Sequence, residues 1–198
     1  MDCYTTRMDE RLSGLSDDLI LKILSFVSLK DVVRTSVLSH RWRHLWTSIP
    51  HLSFSSQDFS SMRKLSKSVT RVLSRRNTQV QLSSFDLYLH GKPAHGLYSS
   101  GNWPMVLFAD SGIPSFSLSS QTLKHLTLKR SFSPCDEIVL TSAQEFSSLT
   151  TLHLHFITLY DGFLSMCPNL KNMTLVGCKV TGSRVLMICH PRLSNLTI

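Results

Sequence analysis

The sequence predicts a mixed α/β protein, with a three-helix module at the N-terminus followed by a short, irregular solenoid of strand-bearing units. Three observations predict it. Two serine-capped apolar segments, LSDDLILKILSFV (15–27) and SLKDVV (28–33), stand at the start. A third segment, SVLSHRWRHLW (36–46), is dense in tryptophan and cations and stops before Pro50. Further on, a leucine pattern recurs four times at spacings of 21 to 26 residues.

Composition bounds the rest. With 198 residues, the chain can hold one ordinary domain, or one small module plus a short array. A hydrophobic content of 42% against 17% charged residues is that of a globular chain, not a disordered one. The net charge of +8 permits an acidic partner without specifying one. Five cysteines, an odd number with no C-x-x-C pair, suit free and mostly packed thiols in a reducing compartment. The opening MDCYTTRMDER has no apolar h-region, so no secretory signal is expected, and no run approaches the ~20 apolar residues of a membrane span. The sequons at Asn172 and Asn195 are accordingly read as chance. The expected location is cytoplasm, nucleus or both.

Each helix has its own start signal. Ser16 can cap the first, Asp17 and Asp18 suit the positive end of its dipole, and Leu15 can staple against Ile20. Leu19, Ile20, Ile23, Leu24 and Val27 fall on one face. Ser28 and Asp31 form a capping-box-like pair ahead of Val32 and Val33. In the third helix Val37, Leu45, Leu38, Trp42 and Trp46 fill one arc of about 180°, at 3.6 residues per turn. His40, Arg43 and His44 take the other side, with Ser36 and Ser39, while Arg41 alone among the charges lies within the arc. A nucleic-acid strip would interleave cations and aromatics on one surface. Here they are segregated, so the tryptophans are expected to be buried. Three short helices lie near the size at which a core can stabilise itself, so so wide an arc points to a partner protein that completes it. Coverage by the rest of the chain is the alternative.

LSGLSDDLILKILSFVSLKDVVRTSVLSHRWRHLW resembles an F-box, especially the plant form ending S-V-L-S-x-R-W-R-x-L-W. The resemblance covers about residues 10–54 and runs through all three helices. It implies docking onto a Skp-type adaptor, and through it onto cullin and RING subunits of a ubiquitin ligase. Carried over by position, Leu15, Leu19, Ile23, Leu24, Val37, Arg41, Trp42, Leu45 and Trp46 are the candidates for core and adaptor contact. Ser16 and Ser28 stand where the family usually has proline, which leaves the caps intact but puts adaptor affinity in doubt.

After it, MRKLSKSVTRVLSRR (62–76) carries Arg63, Lys67, Arg71 and Arg75 at i, i+4 spacing, with Met62, Leu65, Val69, Val72 and Leu73 on the other side. This predicts an amphipathic helix with a basic stripe. A solvated face on a helix linking two modules is preferred over a contact with nucleic acid or an acidic partner.

LKHLTL (123–128), LTTLHL (149–154), LKNMTL (170–175) and LSNLTI (193–198) each read L-x-x-L-x-L, with an earlier copy in LSSFDL (82–87). The spacing is that of leucine-rich repeats, whose units bury their leucines only against stacked neighbours. The expected domains are an F-box at 8–54, a linker helix at 55–79 and a leucine-rich-repeat region at 80–198. NWPMVLFADSGIPSFSL (102–118) resembles a helix-and-strand unit of plant F-box/leucine-rich-repeat proteins, but its spacing to Leu123 leaves the phasing between 90 and 123 open. The FBD domain that often closes such proteins is absent, and the chain stops within LSNLTI without a polar cap, as a truncated member with an exposed apolar end would.

If the repeat leucines point inward, alternation turns the residues between them outward. One column is then Asp86, Thr127, His153, Thr174 and Thr197. A second is Ser84, His125, Thr151, Asn172 and Asn195, and a third is Tyr88, Lys129, His155 and Val176. Asp86, Tyr88, His125, Thr127, Thr151, His153, His155, Asn172 and Thr174 are the candidates for binding a target protein, whose identity the sequence does not give.

No catalytic chemistry is expected. His153 and His155 lack a further ligand at suitable spacing, so no metal is assigned. There is no phosphate cradle, nucleophile elbow or H-E-x-x-H, and no cofactor is expected. Cys167, Cys178 and Cys189 follow the repeat and are expected in inward slots. The reading is a non-catalytic substrate receptor of an SCF-type ligase. An adaptor-binding protein without a ligase role is one alternative. A basic nucleic-acid binder is another, disfavoured because Trp42 and Trp46 lie away from His40, Arg43 and His44.

Overall fold

A computed structural model describes residues 14–35, 37, 41–90, 122–131, 139–140, 145–160, 162–181, 188 and 190–198. Residues 8–13, Ser36, Leu38, Ser39, His40, the 102–118 unit, and Cys3, Cys135 and Cys189 lie outside the described residues, as do the side chains of Met62, Arg63 and Arg43. The chain forms two compact units, Met1–Ile49 and Pro50–Ile198.

In the first unit, α1 spans Asp17–Leu24 and α2 spans Leu29–Thr35. The serine caps form as the sequence predicts. Ser16 Oγ accepts from the Leu19 N–H at 3.4 Å. Ser28 Oγ accepts from the Asp31 N–H at 3.3 Å and donates to Asp31 Oδ2 at 2.7 Å. The third helical segment, α3, is shorter among the described residues than the 36–46 stretch predicted. It comprises Trp42–Leu45, continued by a 3-10 turn over Trp46–Ser48.

These pieces close around Ile20, Leu24, Val32, Trp42, Leu45 and Ile49, with Leu15, Leu21 and Trp46 packed against the cluster. The predicted apolar faces are therefore split. Of the α1 set, Ile20 and Leu24 point inward, while Leu19 and Ile23 remain 51% and 45% exposed. Of the third arc, Trp42 and Leu45 are buried and Val37 is 84% exposed.

Among the described residues the second unit contains a six-stranded parallel sheet. In spatial order its strands are β1 His51–Ser55, β2 Ser84–Leu89, β3 His125–Arg130, β5 Thr151–His155, β7 Asn172–Val176 and β9 Asn195–Thr197. A smaller parallel sheet joins β4 Val139–Leu140, β6 Thr158–Tyr160 and β8 Lys179–Thr181. In the large sheet the register aligns Leu52, Phe85, Leu126, Leu152, Met173 and Leu196, and beside them Phe54, Leu87, Leu128, Leu154 and Leu175. All are buried except Leu196, in β9. Each buried leucine is worth about 1.5–3 kcal/mol relative to exposure, and none of the strands could gain this alone.

A repeated backbone contact sets the stagger. One carbonyl ahead of each of β1, β2, β3, β5 and β7 accepts two successive N–H groups from the following unit. Pro50 accepts from Ser83 and Ser84, Ser83 from Lys124 and His125, and Lys124 from Thr150 and Thr151. Thr150 then accepts from Lys171 and Asn172, and Lys171 from Ser194 and Asn195, at 2.8–3.2 Å throughout. Proline is compatible with this ladder only at its head, where a carbonyl is needed and an N–H is not.

Strand β1 was not expected. The bounds expected from the sequence end the first module at 54 and leave 55–79 as a linker, whereas residues 51–55 pair with β2 in the register of the later units. The signal was present in IPHLSF (49–54), a copy of the pattern with Ile and Phe in its outer slots. Helix α4, Met62–Arg75, follows this strand and is capped by Ser61, whose Oγ accepts from the Lys64 N–H at 3.3 Å. It packs on β1 and buries Leu65, Val69 and Val72.

Candidate interaction surfaces

Eight of the nine candidates for core and adaptor contact fall into three groups, and Arg41 stands apart from them. Leu24, Trp42 and Leu45 are in the core of the first unit. Leu15 and Trp46 are partly buried against it, so they can contribute an edge to a surface and little more. Leu19, Ile23 and Val37 are exposed. Phe26, at 82% exposure, joins them together with Val27 and Val33. Phe26 was missed because it falls beyond the 19/20/23/24 periodicity, although its i+3 spacing from Ile23 was a usable signal. The module thus fills its core with Ile20, Val32 and Ile49 and still exposes six large apolar side chains.

Arg41, the one charge inside the predicted apolar arc, has a local partner. Its Nε and a terminal nitrogen lie 2.7 and 2.5 Å from Asp17 Oδ1, tying the start of α1 to the residue before α3. Both side chains are well exposed to solvent, so the pair orients the helices and adds at most about 1 kcal/mol.

The second surface is the outward face of the large sheet. The register stacks Ser53, Asp86, Thr127, His153, Thr174 and Thr197 in one column. It stacks His51, Ser84, His125, Thr151, Asn172 and Asn195 in a second, and Ser55, Tyr88, Lys129, His155 and Val176 in a third. The target-binding candidates of the sequence are thus neighbours on adjacent strands. Thr127 differs from the rest in being buried, which leaves it little to offer a ligand.

Side chains on this face bond across strands. Asn195 Nδ2 donates to Asn172 Oδ1 at 2.6 Å, and Asn172 Nδ2 donates to Thr151 Oγ1 at 3.4 Å. Lys129 Nζ lies 5.8 Å from the centroid of the Tyr88 ring, a cation–π distance. Partial burial, and then the Lys129 ammonium, hold His153 below the ordinary histidine pKa, with Asp86 opposing and His125 adding to the depression. His155 is lowered by burial, Lys129 and His153. Burial and the Asp86 carboxylate raise the Tyr88 phenol. His153 and His155 are thus biased toward their neutral forms, on a face that also carries Lys129, Asp86 and several hydroxyl and amide groups.

Among the described residues no three His, Cys, Asp or Glu side chains are arranged to hold a metal ion. Cys167 is fully buried, its Sγ 3.7 Å from the Phe163 carbonyl, and burial pushes its thiol up to about 12. Cys178 is half-buried and also raised by burial. No helix among the described residues is long and apolar enough to cross a membrane.

Comparison with known proteins gives these surfaces a context. The F-box domain model matches residues 12–54. An F-box/LRR-repeat protein of Arabidopsis thaliana is 31% identical over 210 residues, covering 96% of this chain and 67% of that protein. F-box/LRR-repeat protein 25 of the same plant is 30% identical over 187 residues, covering 87% and 70%. An Arabidopsis F-box/FBD/LRR-repeat protein is 32% identical over 215 residues, covering 96% of this chain and 45% of its own length. The chain spans about half the length of several such relatives. No solved structure matches it.

Proposed function

The chain belongs to the plant F-box/leucine-rich-repeat family, and from that premise we propose that it is a substrate-recognition subunit of a Skp–cullin–F-box ubiquitin ligase. F-box proteins are generally non-catalytic, and this chain would act by holding a target close to the ubiquitin-loaded enzyme, so that catalysis comes from proximity. The F-box, at about 8–54, would dock onto the adaptor. The region from β1 onward would be a leucine-rich-repeat solenoid, whose outward columns take the target, with α4 packed on its first strand.

The observation that carries the proposal is the exposed apolar set Leu19, Ile23, Phe26, Val27, Val33 and Val37 on a unit whose core is already filled. Leu15, Arg41 and Trp46 would border that contact. Leu24, Trp42 and Leu45 would support it from within.

Co-purification of the full chain with a Skp-type adaptor tests this, comparing wild type with an Ile23→Asp, Phe26→Ser variant. Circular dichroism of both forms separates lost contact from lost fold. Retention of adaptor by wild type alone supports the proposal. Equal retention by a folded double variant removes the apolar surface from the interface.

A further inference from the structure

Helix α4 carries a surface that the receptor reading does not use. Its inner side is complete, with Leu65, Val69 and Val72 buried. Its outer side presents Lys64, Lys67, Arg71 and Arg75, all exposed. At 3.6 residues per turn and 1.5 Å rise, the four fall within an arc of about 80° and along about 16 Å of axis. None of them has an ion-pair partner among the described residues. No acidic residue occurs between Asp58 and Asp86. Because α4 packs on β1 instead of bridging two modules freely, the four cations are held in line by the fold, and no ion pair among the described residues offsets their mutual repulsion.

We propose that this stripe binds the phosphate backbone of duplex nucleic acid, without reading its sequence. A protein partner fits the stripe poorly. It offers no aromatic or aliphatic anchor, and although arginine is enriched at protein interfaces, lysine, the other half of the stripe, is depleted from their cores. Single strands are held largely by aromatic stacking platforms, which this face lacks. A line of cations flanked by short side chains, Ser68 and Ser74, needs only closely spaced anions that can approach it. A duplex supplies these along each strand, and the released counterions supply the affinity.

The test is fluorescence anisotropy of a short labelled DNA duplex titrated with the full chain across a salt series. Four phosphate contacts at a slope of about −0.9 each predict an affinity loss of at least ~150-fold between about 50 and 200 mM salt. The Lys64→Gln, Lys67→Gln, Arg71→Gln, Arg75→Gln variant should lower the magnitude of the slope by about 3.6, and each single substitution by about 0.9. Glutamine retains helix propensity at these exposed positions, and the singles keep the test valid if the quadruple variant loses helix. A control variant, Lys124→Gln, Lys171→Gln, Lys179→Gln, should change the slope by less than about one. The proposal is overturned if stripe and wild-type slopes coincide or if the control lowers the slope as much as the stripe variant does. Tighter binding to phosphatidylserine vesicles than to the duplex overturns it too.

Discussion

A Cβ placed on Gly177 would lie 2.5 Å from the ring of Phe156, one unit earlier in the stack. Both residues follow the last residue of a strand, β7 and β5, and both have positive φ, 58° and 54°. The glycine therefore meets two demands at once, a left-handed backbone and a close approach. Phe156 meets the first demand at a cost, since a bulky residue is strained there.

Gly177→Ala should lose about 2 kcal/mol or more, adding the clash to a left-handed penalty of about 1–2 kcal/mol. Phe156→Gly relieves both the ring contact and its own strain, so the double variant should recover part of the loss. Denaturant midpoints of the four proteins measure this. Additive losses would mean that the ring and the glycine do not interact.

Trp42 and Phe26 should separate folding from docking. Truncating Trp42, 6% exposed in the core of the first unit, should cost about 3–5 kcal/mol of folding free energy. Truncating Phe26, 82% exposed, should change folding by less than about 0.5 kcal/mol. Its effect should appear in adaptor affinity, at about 1 kcal/mol or more if it is an interface anchor. Urea unfolding followed by fluorescence, with adaptor titration alongside, reads both, and a neutral Trp42→Ala would place that ring outside the core.

Proton uptake on the sheet face should destabilise the fold. His153 and His155 have folded-state pKa values below that of an unfolded histidine, about 6.5. Below that value the unfolded chain binds more protons, so stability falls as pH drops from about 6.5 through the depressed values, and is fully present above it. Lys129→Met should raise both histidine pKa values and narrow that window. Titration of the imidazole resonances by NMR checks the direction, and unchanged values would remove Lys129 as a cause.

The Cys167 thiol should be inert in the native protein. Burial and a thiol pKa near 12 leave essentially no thiolate at pH 8. Alkylation by iodoacetamide, mapped by mass spectrometry, should reach Cys167 only with denaturant present, and after Cys178. Rapid native labelling of Cys167 would show that the Phe163 region opens.

The sequence by itself determined the repeat register. Its L-x-x-L-x-L frames place His125, Thr151, Asn172 and Asn195 in one file, and the strands pair in that register, because a one-residue slip would turn every buried leucine to solvent. It also determined the helix starts, since Ser16 and Ser28 act on N–H groups three residues away. Only the tertiary structure decided which apolar residues of the first unit are core and which are surface. Leu19 and Ile20, adjacent on one helix and equally apolar, part company at 51% and 0% exposure, because neighbouring helices cover only one side of the face. The same holds for α4. Its periodicity announced an amphipathic helix, but its place in the sheet unit depends on β1, whose pairing partner lies some thirty residues on, beyond the reach of local pattern.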